Sequence, residues 1–349
     1  MLIAVWGGFI AGILLLLALD LGVFHRRAHA VGVREALTWT GVWIAFALGF
    51  NVLVYFLYEH QWLGVGTRAA HTAGGQQAAL DFLTGYIIEK SLSLDNIFVI
   101  ALIFGYFRVP GVYQHRVLFW GVVGALVMRG AMIAAGSALI HRFDWIVYVF
   151  GAFLILTALK MLRGAHQKLD PEKNPLVRLA RRLFPVSTTY DGQRFFTRSG
   201  GRRTATPLFL VLLLVESSDA VFAVDSIPAI FAITDDPFIV FTSNVFAILG
   251  LRSLYFALAG VMDKFRYLST SLVFVLAFVG VKMILAHHWP IPTPVSLAVI
   301  AATLLAGVAA SVVASRRASG GEAPPAPAAA AAGAPLTADP AAPSRSSVE

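Results

Sequence analysis

Residues 207–232 read Pro207-Leu-Phe-Leu-Val-Leu-Leu-Leu-Val-Glu216-Ser-Ser-Asp219-Ala-Val-Phe-Ala-Val-Asp225-Ser-Ile-Pro228-Ala-Ile-Phe-Ala232. The run is long and apolar enough to cross a bilayer, yet it holds the carboxylates of Glu216, Asp219 and Asp225. In lipid and unpaired, each acid would cost about 3 kcal/mol on an insertion scale. Such a segment is tolerable only where its acidic face looks into a bundle or a water-filled cavity. One stretch thus bears on both questions: it predicts a membrane helix bundle with ionisable groups inside.

Outward from it, the rest of the chain agrees. Of 349 residues, 58% are apolar and 13% charged, with a mean hydropathy of +0.76. A soluble chain would be about a quarter charged. Apolar stretches at 2–24, 37–58, 80–104, 117–140, 145–162, 207–232, 238–260, 268–287 and 293–313 predict an all-α, polytopic bundle of about nine spans within residues 1–314. The first has no preceding basic residue and is followed by Arg26, Arg27 and Arg34, so it is not a secretory signal.

With the N-terminus outside, 20 of the 27 Lys and Arg fall in inner segments, 2 (Arg68 and Arg142) outside and 5 within spans. The positive-inside rule then gives a cytoplasmic C-terminus. The net charge of +8 is a topology signature, and no nucleic-acid partner is expected. In the long inner loop, 163–206, Leu176, Leu179 and Leu183 alternate with Arg178, Arg181 and Arg182 as in a short amphipathic helix lying on an anionic leaflet. The Ala- and Pro-rich residues 315–349 read as a disordered tail.

The absence of cysteine excludes disulfides, iron–sulfur clusters, thiolate zinc sites and a Cys nucleophile. Inside the spans stand Asp20, Glu89, Lys90, Asp95, Arg129, Lys160, Glu216, Asp219, Asp225, Arg252 and Lys282. Unpaired in lipid, these would cost roughly 30 kcal/mol, more than a stability of about 5 to 15 kcal/mol can carry. They must face inward. Glu216 and Asp219 share a helix face, with Asp225 two turns on. Pro228 deprives the Val224 carbonyl of its helical partner, which predicts a break in the helix beside Asp225. In the third span, Glu89, Ser93 and Asn96 line one face while Ser91 and Asp95 form an adjacent stripe. Asp95 and Asp219 both fall near mid-span, where carboxylates from two helices can converge.

The charges also repeat. Arg129 follows Asp95 by 34 residues and Arg252 follows Asp219 by 33; Lys160 lies 31 beyond Arg129 and Lys282 lies 30 beyond Arg252. Matched landmarks predict a duplicated three-helix unit, spans 3–5 and 6–8. An odd number of spans per unit makes the copies inverted, as in many secondary transporters whose site lies where the copies meet. All nine histidines lie in loops or at span ends. The available donors are carboxylate, amide, hydroxyl and carbonyl oxygens, including Asn51 and Asn244, which suit a hard divalent cation such as Mg²⁺, Ca²⁺ or Mn²⁺. Carboxylates can also cycle protons, so cation/H⁺ exchange is a natural expectation.

The stretches Glu89-Lys-Ser-Leu-Ser-Leu-Asp95-Asn-Ile-Phe-Val, Val215–Thr234 and Ser243–Phe256, with Ala18-Leu-Asp20-Leu-Gly-Val-Phe-His-Arg-Arg, resemble the TerC family of bacterial membrane proteins over about residues 1–312. The resemblance implies an inner-membrane exporter of manganese, linked by name to tellurium resistance. It implies no enzymatic activity and no permanently bound cofactor. It makes Asp20, Glu89, Asp95, Asn96, Glu216, Asp219, Asp225 and Asn244 the metal-pathway residues. Rival readings are an intramembrane aspartyl hydrolase using two Asp, an oxyanion handler for tellurite built on Arg129, Arg252 and the lysines, and a membrane scaffold or stress-response partner.

Overall fold

The computed structural model describes residues 2–19, 32–64, 74–163, 174–199, 202–258, 267–286 and 288–321. Helices dominate: α1 (Leu2–Leu19), α2 (Val33–Glu59), α3 (Gly75–Tyr106), α4 (Gly111–Arg142), α5 (Ile146–Leu162), α6 (Pro175–Leu183), α7 (Pro207–Phe231), α8 (Pro237–Leu249), α9 (Leu251–Leu258), α10 (Leu268–Leu285) and α11 (Thr293–Gly321). Every apolar stretch read from the sequence holds a helix. Five of the described helices, α2, α4, α7, α10 and α11, are long and apolar enough to cross a membrane, and the bent α8–α9 pair makes six. α1 and α5 are shorter apolar helices. α3, at 32 residues, is about 48 Å long and carries Asp81, Glu89, Lys90 and Asp95. The protein is an all-α, multi-pass membrane protein.

Pro207 and Pro237 stand at the first turns of α7 and α8, where a missing N–H costs little. Asp236 caps α8 by accepting from the Phe238 and Ile239 amides. The break expected at Pro228 is absent. α7 runs through it to Phe231, three residues on, and the Ala232 amide still bonds the Pro228 carbonyl. The discontinuity lies at Gly250 instead, where α8 and α9 bend by 40°. Lys90 reaches this point, its ammonium donating to the Ala247 carbonyl at 3.1 Å. A cation on the C-terminal carbonyls of α8 satisfies a group the break exposes and complements the helix dipole.

Close contacts fix how the helices pair. α4 and α7 run side by side in one direction, with Gly121 against Val215 and Gly136 against Phe231. α3 and α8 do the same, with Gly85 against Ser243 and Lys90 against Ala247. α5 and α10 cross in opposite directions: Gly151 meets Ile284, and Gly280 meets Ile155. A Cβ on Gly280 would stand 2.8 Å from the Gly151 carbonyl oxygen, so the two backbones touch there. Apolar clusters fill the bundle, one of them built on Phe9, Trp43, Phe82, Phe238 and Phe246, another on Leu154, Ile230, Leu272 and Leu276.

The long segment between α5 and α7 holds more regular structure than its sequence suggested. The amphipathic helix is present as α6, but it is followed by an antiparallel hairpin, β1 (Phe196–Ser199) with β2 (Arg202–Ala205), pairing Ser199 with Arg202. The signal was there: Gly200-Gly201 between two short polar and β-branched runs favours a two-residue turn. α11 also continues to Gly321, past the expected start of the tail at 315, since Ala, Arg and Ser extend a helix at small cost. Residues 322–349 lie outside the described residues.

Candidate functional site

The charges of the interior converge on Arg129 of α4, which is 3% exposed. Asp219 of α7 takes its guanidinium with both oxygens, Nε to Oδ2 at 3.2 Å and Nη2 to Oδ1 at 2.9 Å. Such a fork-to-fork pair is the strongest geometry available to these groups. Nη1 donates to Glu89 Oε1 on α3, to Asn244 Oδ1 on α8 at 2.9 Å and, more loosely, to Ser226 Oγ on α7 at 3.5 Å. Asn96 Nδ2, from α3, donates to Asp219 Oδ1 at 2.8 Å. Four helices therefore meet at one buried cation.

Their convergence follows from helical spacing. Glu89 and Asn96 are seven residues apart, two turns, and so point the same way. Lys90, next to Glu89, points around the helix toward Ala247 and lies 6.0 Å from the Tyr86 ring, while still acting electrostatically on Glu89. Glu89 and Asp219 both pair with the one guanidinium of Arg129, and Lys90 is the next positive group in electrostatic reach of Glu89. Glu89 Oε2 and Asn96 Oδ1 are buried with no hydrogen-bond partner among the described residues. A buried oxygen left unpaired is costly and marks a place where a cation or proton would be favoured.

The remaining expected residues fall outside this knot. Asp95 does not meet Asp219: about 100° around α3 from Asn96, it accepts from Ser269 of α10 at 2.9 Å. Asp219 meets Glu89 in its place. Asp225 accepts from Thr157 of α5 at 2.9 Å and faces Lys160. Glu216 does share the α4-facing side of α7 with Asp219, packed against Gly124, one turn from the Arg129 level. Asp20 lies outside the described residues. Among the described residues no three of His, Cys, Asp and Glu group closely enough to hold a metal ion. The expected single acidic cluster is replaced by an acid pair with two amides around an arginine.

Two features escaped the sequence reading. Arg129 was visible as a landmark of the repeat, but nothing in the sequence ranks it above Arg252, whose guanidinium stands 5.9 Å from the Phe119 ring. Asp81, at the end of the third apolar stretch, is also buried. It accepts from Gln77 at 2.8 Å, Gln77 donates to Thr293 at 2.8 Å, and Lys282 lies in electrostatic range. A carboxylate at a span end reads as solvated, so the sequence carries no sign of this burial.

The family model for the integral membrane protein TerC family matches residues 74–319. The chain is 52% identical over 303 residues, 87% of its own length and 90% of the other, to an uncharacterized membrane protein, STKORF319, of Myxococcus xanthus. It is 48% identical over 301 residues, 86% and 91% of the two lengths, to a putative membrane-bound redox modulator, Alx, of Escherichia coli K12. It is 38% identical over 303 residues to an uncharacterized membrane protein of Rickettsia bellii, covering 87% of this chain and 95% of that one. No solved structure matches the chain. The four-helix knot around Arg129 lies wholly within the matched residues, and the chain belongs to the TerC family of integral membrane proteins.

Proposed function

We propose that the protein is a transporter of the bacterial plasma membrane that exports a hard divalent cation, Mn²⁺ before others, in exchange for protons. Its N-terminus lies outside and its C-terminus in the cytoplasm. One observation carries this reading: Glu89 and Asp219, from two helices, share one buried guanidinium while Glu89 Oε2 and Asn96 Oδ1 stay unpartnered. When Arg129 withdraws, these atoms and Asn244 Oδ1 make an all-oxygen set of two charges and two amides. Protons or the guanidinium neutralise the acids when the ion leaves. The choice of manganese and the outward direction rest on the resemblance to the family.

The helix pairing supports alternating access. α3 and α8 are parallel, α4 and α7 are parallel, and α5 and α10 cross in opposite directions. This is the pattern expected of two inverted copies, α3–α5 and α7–α10, with Arg129 of one held by Asp219 of the other. The hydrolase reading is less favoured, since Asp219 is held by a guanidinium while Asp95 accepts from Ser269 on another helix. A redox role of the kind the Alx name describes could not run through thiols here, because the chain has no cysteine.

The test is uptake of radioactive manganese by inside-out vesicles, with and without an imposed pH gradient. The expected outcome is gradient-stimulated uptake by the native protein and none by Asp219→Asn or Glu89→Gln at equal membrane abundance. Native-level uptake by either variant would overturn the reading.

A further inference from the structure

The segment between α5 and α7 presents a surface the cation site does not use. α6 has two apolar stripes. Val177 and Ala180 are buried against the bundle, whereas Leu176, Leu179 and Leu183 are 40%, 52% and 64% exposed. Arg178, Arg181 and Arg182 lie on the same helix. Beside it, Arg194, Arg198 and Arg203 of the hairpin region line an open pocket of about 470 Å³ with Phe196 and Thr197. The pocket is not purely basic, since Asp191 lies 3.7 Å from Arg194. Phe196 joins these parts: its ring lies 5.4 Å from Phe184, at the end of α6, and 4.6 Å from Phe209 in α7.

The unit is also bolted to α7 close to the acids. Asn174 caps α6 through its side-chain oxygen, accepting from the Leu176 and Val177 amides, and its Nδ2 donates to Ser217 Oγ at 2.7 Å. Ser217 follows Glu216 in the chain.

We propose that α6, which runs alongside residues 209–217 of α7, and the hairpin bind anionic phospholipid at that end of the bundle, and that the Asn174–Ser217 bond passes this docking to α7. The three leucines enter the acyl boundary, and the arginines of α6 and the pocket bind headgroup phosphates. A leucine stripe bordered by arginines on a short helix is complementary to that surface in both polarity and charge. Docking then holds α7 in the position in which Glu216 packs on Gly124 and Asp219 grips Arg129.

The experiment places the full chain in nanodiscs of phosphatidylcholine alone or with added phosphatidylglycerol and follows amide hydrogen exchange. Residues 175–183 are expected to exchange about tenfold more slowly with the anionic lipid, and the first turns of α7, 207–217, to slow in step. The triple variant Arg178→Gln, Arg181→Gln, Arg182→Gln should lose both effects. Ser217→Ala, which leaves the Asn174 cap in place, should keep the slowing in 175–183 and lose it in 207–217. Equal exchange in the two lipids, slowing that survives the triple variant, or the same slowing produced by inorganic phosphate in phosphatidylcholine discs would overturn the docking. Slowing of 207–217 that survives Ser217→Ala would overturn the coupling. None of these readouts involves cation flux, so they stand or fall apart from the transport reading.

Discussion

Arg129 holds two acids, an amide and a hydroxyl from three neighbouring helices, and its loss would leave Asp219 without its guanidinium and Glu89 with Lys90 alone in electrostatic reach. Breaking a buried ion pair by deleting one partner costs about 3–5 kcal/mol. Arg129→Ala is therefore expected to lower the melting temperature of the detergent-solubilised protein by many degrees. Asp219→Asn, which keeps an acceptor oxygen and removes a charge, should lower it far less. Thermal size-exclusion profiles of the two variants check the order. At this scale the sequence was partly legible. The seven-residue step from Glu89 to Asn96 and the burial of Asp219 follow from helix periodicity and the cost of charge in lipid. That Asp219 would meet Glu89 and not Asp95 depends on the rotation of α3 about its axis, which a run apolar on all sides does not set.

Each apolar stretch holds a helix, with ends that differ by up to eight residues among the described residues, and the departures have local causes. α7 continues past Pro228 to Phe231, while Gly250 marks the bend, where a lysine from α3 supplies a donor to the opened carbonyls. Lys90→Met removes that donor and leaves the Ala247 carbonyl buried beside the bend. A loss of about 1–3 kcal/mol is expected, seen as a lower thermal midpoint with native membrane insertion. At the α5–α10 crossing, Gly280→Val would drive a branched side chain into the Gly151 carbonyl and Ile155. Overpacking of this kind costs about 1–3 kcal/mol and is checked by the same melt. The hairpin was missed since four-residue strands rich in arginine give no alternation of hydrophobicity, leaving only the Gly-Gly pair as a sign.

For the whole molecule, charge counting and helix pairing address different questions. The bias of Lys and Arg gives direction, and reporter fusions are expected to read periplasmic before Leu2 and cytoplasmic after Arg317. Alkaline phosphatase active on a fusion after Arg317 would reverse the arrangement. The matched spacings of Asp95, Arg129 and Lys160 with Asp219, Arg252 and Lys282 are those a duplication would leave, but spacings do not say which helices pair, which the contacts between distant helices do.

The order in which Arg129 acquires its partners bears on biogenesis. Glu89 precedes it by 40 residues, whereas Asp219 follows by 90. As the chain leaves the ribosome, α3 and α4 can partition into the bilayer as a hairpin whose acid and base already cancel. The second carboxylate arrives roughly 5 to 20 s later at ordinary synthesis rates. Insertion is spared a naked guanidinium, and the second carboxylate reaches it only once α7 has been made.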